Sequence, residues 1–107
     1  MSGFGGTSLP IKSYRRVTVA GVLTEADDIV KVNGGLTVSL PNPTTTYIGK
    51  TIYISRYTGT AGTVTINVSG GSTLENSAGN LTANQTLTTA RYGWVNTGTN
   101  WVMFTAT

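Results

Sequence analysis

The sequence predicts an all-β chain: a small β-sandwich or jelly-roll-like domain carrying an extended N-terminal arm. Three observations predict it. Gly occurs 14 times in 107 residues, with Thr, Ser and Asn filling most polar positions, while charged residues make up only 10%. That composition suits strands and turns, because the strong helix formers never gather in one window. Apolar residues alternate with polar ones at period two over several short runs, the pattern of half-buried strands. Gly, Pro and Asn clusters separate these runs at about 8 to 12 residue spacing, as in sandwiches and barrels. A chain of this length supports one core, since two would each be too small to offset chain entropy.

Residues 1–16 are expected to form the arm. Met1 to Pro10 is mostly Gly, Ser and Thr around two lone apolar residues, Phe4 and Leu9, a composition that cannot build a core. Phe4, Leu9 and Ile11, with Lys12, Arg15 and Arg16, are the candidate partner-binding residues of this arm. The domain is expected over residues 17–107. It opens on an alternating strand in which Val17, Val19 and Val22 alternate with Thr18 and Ala20, followed by an acidic turn, 23–28. A strand at 29–32, the turn Asn33-Gly34-Gly35 and a strand at 36–40 read as a hairpin, because Asn-Gly accepts positive φ at both central positions.

Pro41 and Pro43 end that strand, since proline cannot donate to a ladder. Residues 50–57 (KTIYISRY) place Ile52 and Ile54 on one face and Tyr53 and Ser55 on the other. Residues 64–68 alternate as Val64, Ile66 and Val68 against Thr65 and Asn67, so these two runs read as the central hairpin. Leu74 and Leu81 read as isolated core contacts, and Leu87 lies in a weak strand at 85–89. The closing strands, 91–95 and 101–104, are joined by a Gly-containing loop, 96–100.

The formal net charge is +3 and all of it resides in the arm, because Lys12, Arg15 and Arg16 precede every acid and the remainder of the chain sums to zero. No basic stripe with interleaved aromatics runs across the domain, so nucleic acid is not an expected partner. No apolar run approaches the ~20 residues of a membrane span, and residues 1–13 lack the apolar stretch of a signal peptide, so no membrane partner is expected. The chain has no Cys and no His. Thiolate zinc sites and Ser-His or Cys-His nucleophile pairs are therefore excluded.

Glu25, Asp27, Asp28 and Glu75 are the only acids, and three of them share one turn. Paired-carboxylate chemistry would depend on Glu75 alone as the opposite partner. The acidic turn lacks the DxDxDG spacing of a calcium loop and reads as a solvated turn balancing a nearby cation. No enzyme activity, metal or cofactor is expected. Trp94, Trp101 and Tyr92, with Tyr47, Tyr53 and Tyr57, are the aromatic inventory for a glycan platform. Trp94, Trp101 and Tyr92 are its first candidates, against the competing expectation that the tryptophans cover the core.

Five stretches occur in a set order: Leu36-Thr-Val-Ser-Leu-Pro41, Gly49-Lys50-Thr-Ile-Tyr-Ile54, Thr63-Val-Thr-Ile-Asn67, Leu87 to Trp94, and Thr97-Gly98-Thr99-Asn100-Trp101-Val102. From Val17 onward, about four fifths of the chain, this order resembles a recurrent module of bacteriophage tail fibres and other virion appendages. The resemblance implies a β-rich, homotrimeric structural module and does not imply an active site. The expectation is a virion structural protein, assembled in the host cytoplasm and attached through its arm to capsid or tail proteins. It would serve as a capsid decoration, head spike or short tail-fibre component. The alternative expectation is a carbohydrate-binding adhesin that recognises a host glycan.

Overall fold

The computed structural model describes residues 12–88 and 91–105. Their strands are β1 (Tyr14–Val17), β2 (Gly21–Val22), β3 (Ile29–Val32), β4 (Thr37–Leu40), β5 (Thr51–Arg56), β6 (Val64–Val68), β7 (Leu74–Glu75), β8 (Leu81–Thr82), β9 (Asn84–Leu87), β10 (Tyr92–Asn96) and β11 (Trp101–Thr105). Two short 3-10 turns, Thr45–Tyr47 and Ser69–Gly71, are the helical elements among the described residues. None is long or apolar enough to cross a membrane.

The strands form two sheets, one of seven strands in the order β1-β3-β5-β10-β11-β7-β8 and one of four in the order β9-β6-β4-β2. Of the two expected architectures, the β-sandwich is the one formed. Its core is filled from both sheets: Val30, Val32, Ile52, Ile54, Trp94, Trp101 and Met103 from the larger, and Val38, Leu40, Val64, Ile66, Val68 and Leu87 from the smaller. The burial of β6, in which Val64, Ile66 and Val68 point inward and Thr65 and Asn67 do not, follows the alternation of its sequence.

The path between the sheets differs from the expected hairpins. β1, β3 and β5 pair in parallel in the larger sheet, and β2, β4 and β6 pair in parallel in the smaller one. The chain crosses from one sheet to the other after each of β1, β3 and β5, so it winds as three stacked coils, each giving one strand to each sheet. The expected hairpins 29–32 with 36–40 and 50–57 with 64–68 are therefore corners between sheets. Gly35 has φ +87°, but no non-Gly residue among the described residues has positive φ, so Asn33 cannot supply the first half of a type I′ turn.

Gly34 serves a different purpose. A Cβ on it would lie 2.0 Å from the Ala61 carbonyl oxygen, so its lack of a side chain lets the corner of one coil rest on the corner of the next. The Gly34 N–H donates to Thr60 Oγ1 (2.9 Å) and the Gly35 N–H to the Thr63 carbonyl (2.7 Å), joining the two corners. The Asn33 N–H likewise donates to the Val17 carbonyl (3.0 Å) of the coil before.

The remaining strands extend both sheets beyond the third coil, where β8 and β9 become the outermost strands. β9 pairs antiparallel with β6, and β10 pairs antiparallel with β5. β10 and β11 form the expected closing hairpin, with Asn96 opposite Trp101. At the other end, β1 and β2 are outermost in their sheets, and their outer edges have no strand partner among the described residues. Three positions depart from the expected core: Val19 and Val22 are 73% and 55% exposed, and Leu81 is 63% exposed. The chain leaves the larger sheet after Val17, which breaks the alternation, and Leu23 becomes the buried residue of that segment.

Candidate functional site

The expected arm boundary at residue 16 falls inside a strand. Phe4, Leu9 and Ile11 lie outside the described residues, whereas Arg15 and Arg16 belong to β1 and bind within the domain. Arg15 grips Asp27 through two hydrogen bonds, Nε to Oδ1 at 2.7 Å and Nη2 to Oδ2 at 3.1 Å. The Thr24 N–H also donates to Asp27 Oδ2 (2.9 Å). Burial pushes the Asp27 carboxyl up, but the Arg15 and Thr24 hydrogen bonds and the charges of Arg15 and Lys50 outweigh it, leaving the group below its ordinary value. The Arg16 guanidinium lies 3.7 Å from the centre of the Tyr57 ring, and its Nε donates to Asn33 Oδ1 (3.0 Å). Both arginines hold β1 to later parts of the chain.

The acidic turn is also structural rather than merely solvated. Ser13 donates its N–H to Asp28 Oδ2 (2.8 Å) and its hydroxyl to the Ala26 carbonyl (2.8 Å), and accepts the Asp28 N–H on that hydroxyl (3.0 Å). Lys50 Nζ is paired with Asp28 Oδ1. The Lys50 and Ser13 hydrogen bonds hold the Asp28 carboxyl down at about 2. Two of the four acids are thus committed to ion pairs, and among the described residues no group of three acidic side chains could hold a metal ion.

Trp94 and Trp101 are fully buried. Trp101 Nε1 donates to the Pro41 carbonyl (2.8 Å) and lies against β7, with Leu74 opposite in register. Neither ring can stack on a ligand, so the glycan platform expected on them is corrected, and the competing expectation of core packing holds. Tyr92 is half-buried and packs against the core, its ring 6.3 Å from that of Trp94.

Three exposed aromatics, Tyr14, Tyr53 and Phe104, lie on the outer face of the seven-stranded sheet, and a fourth, Tyr47, is in the turn Thr45–Tyr47. Across the sheet Tyr14 is beside Ile29, Ile29 beside Tyr53, Tyr53 beside Gly93, and Gly93 beside Phe104. Register places these residues in one transverse row, and Tyr14, Ile29, Tyr53 and Phe104 are all solvent-exposed. Gly93 is where the row lies lowest. The Cδ1–Cε1 edge of the Tyr53 ring covers it, and a Cβ there would be 3.0 Å from Cε1.

Beside this row is an open concavity of about 570 Å³, lined by Ile29, Ile54, Tyr53 and Tyr92 with Lys12, Lys31, Ser55 and Arg91. A smaller hollow of about 140 Å³ adjoins it, and Lys31, Ser55 and Arg91 border both. Neither is lined by an acidic side chain. Of these residues, Tyr53 was legible in the sequence, since alternation in KTIYISRY puts it opposite Ile52 and Ile54. Lys31 and Arg91 were not, because nothing local shows that β10 returns beside β5. No family model matches the chain, and neither a curated protein nor a solved structure is significantly similar to it.

Proposed function

We propose that the protein is a non-enzymatic structural module of a bacteriophage virion, trimeric and attached to the particle through the segment that precedes β1. The observation that supports this most is the open first coil. The outer edges of β1 and β2 have no strand partner among the described residues, and Tyr14, Val19 and Val22 are exposed beside them. Surfaces of this kind serve contact between chains. The resemblance of residues 17–107 to virion-appendage modules supplies the setting. The absence of His and Cys, with Asp27 and Asp28 tied in ion pairs, supports a role without catalysis.

Attachment then rests on Phe4, Leu9 and Ile11, with Lys12 beside them, because Arg15 and Arg16 are engaged within the domain. Mass photometry of the purified protein tests the assembly: a trimer is expected, and a stable monomer at micromolar concentration overturns it. The outer-face concavity favours a second reading, in which the module also contacts a host glycan. On that reading the contact is made at Tyr53 and Tyr92 instead of the buried tryptophans.

A further inference from the structure

We infer that the concavity on the outer face of the seven-stranded sheet is a binding site for a carboxylated saccharide, a uronate- or sialate-type sugar stacked on Tyr53 with its acid group toward Lys31 and Arg91. The inference rests on the glycan-contact reading and adds to it the charge class of the ligand and the residues that choose it.

Charge decides the first half. Lys12, Lys31 and Arg91 line one concavity that holds no acid, and among the described residues none of them makes an ion pair. Lys31 is half-buried, and Ser55, which borders both hollows, is buried, so this rim is partly withdrawn from solvent. Like charges gathered there repel, and an anion relieves the repulsion through charge-assisted hydrogen bonds. A second copy docking by the same face would bring the same cations against them, so self-association does not fill this site.

Size and surface decide the second half. A volume of about 570 Å³ lies within the ~300 to 1,000 Å³ of small-ligand sites. Eight residues line it, against the roughly 20 to 30 per side of a stable protein interface. Three cations neutralise too few phosphates to hold single-stranded nucleic acid at physiological salt. Tyr53 is 40% exposed, lines the concavity and is seated over Gly93, so its aromatic side chain is open to a ligand there. An aromatic face meets the apolar side of a pyranose, while Ser55 and the tyrosine hydroxyls can bond to its hydroxyls. A sugar carrying a carboxylate uses every feature of this rim.

The test is titration calorimetry of the full chain near 150 mM salt with an oligogalacturonate, its carboxyl-reduced neutral counterpart, a sialylated oligosaccharide, oligo-dT and an acidic peptide. At least one acidic saccharide should bind about tenfold or more tightly than the neutral one, the effect of roughly one charge-assisted hydrogen bond. The double variant Lys31→Gln/Arg91→Gln should lose that preference with an unchanged melting temperature, since neither side chain has an ion-pair partner among the described residues. Gly93→Ala, which displaces the Tyr53 ring, should weaken binding of all saccharides alike. Equal binding of acidic and neutral sugars overturns the charge assignment while leaving the glycan-contact reading in place. Binding of no saccharide overturns both, and preferential binding of oligo-dT or the acidic peptide overturns the ligand class.

Discussion

The two tryptophans are alike in burial and different in what their indole nitrogens meet. Trp101 Nε1 donates to Pro41, whereas Trp94 Nε1 has no hydrogen-bond partner among the described residues. Trp101→Phe should therefore cost about 1 to 2 kcal/mol more than Trp94→Phe, because only the former orphans a buried carbonyl. Chemical denaturation of both variants measures the difference. The carboxylates of the turn give a pH signature. Asp27 and Asp28 titrate lower in the folded chain than the ordinary 3.8, Asp28 at about 2. Their contribution to stability is complete above about pH 4 and is lost as pH falls through their lowered folded values, about 2 for Asp28. The melting temperature should hold from pH 7 to 5 and drop between 4 and 2, and Asp28→Asn should flatten part of that drop. At this scale the sequence was legible where alternation decides burial, as at Ile52, Tyr53 and Ile54. It was not at Arg15 and Arg16, whose partners Asp27 and Tyr57 come from other parts of the chain.

Strand existence was largely visible in the sequence, and strand pairing was not. Period two is a property of one segment, so 29–32, 64–68 and the closing hairpin emerge from local pattern. Whether consecutive strands join one sheet or cross to another depends on what the turn between them touches. Asn33-Gly34-Gly35 has hairpin chemistry, yet Gly34 is required by Ala61, 27 residues later in the chain. Two neighbouring glycines should thus respond differently. Gly35→Ala meets open space but has φ +87°, a strain of about 1 to 2 kcal/mol. Gly34→Ala must push apart two backbone corners, an overpacking cost of about 3 kcal/mol. Thermal melts of the two variants check the order. The same limitation hid the candidate site, since Tyr53 and Arg91 meet only once β10 has come back antiparallel to β5.

For the whole molecule, winding in parallel coils fixes which strands are neighbours and leaves the corners free in length. Tyr14 and Ile29 are register partners 15 residues apart, whereas Ile29 and Tyr53, partners in the next coil, are 24 apart. The stack accepts either spacing, because backbone ladders hold each strand in place whatever the corner between them. The corner Thr18–Ala20 is exposed throughout, joins the larger sheet to the smaller, and its side chains make no hydrogen bond among the described residues. Lengthening a loop costs only about 0.6 kcal/mol per doubling. A nine-residue Gly-Ser insertion after Val19 lengthens this corner fourfold, so it should cost about 1 kcal/mol, lower the melting temperature by roughly 5 to 10 °C and leave the β circular dichroism spectrum unchanged. That corner is an insertion port: foreign peptide can be grafted there and displayed beside the first coil of the module.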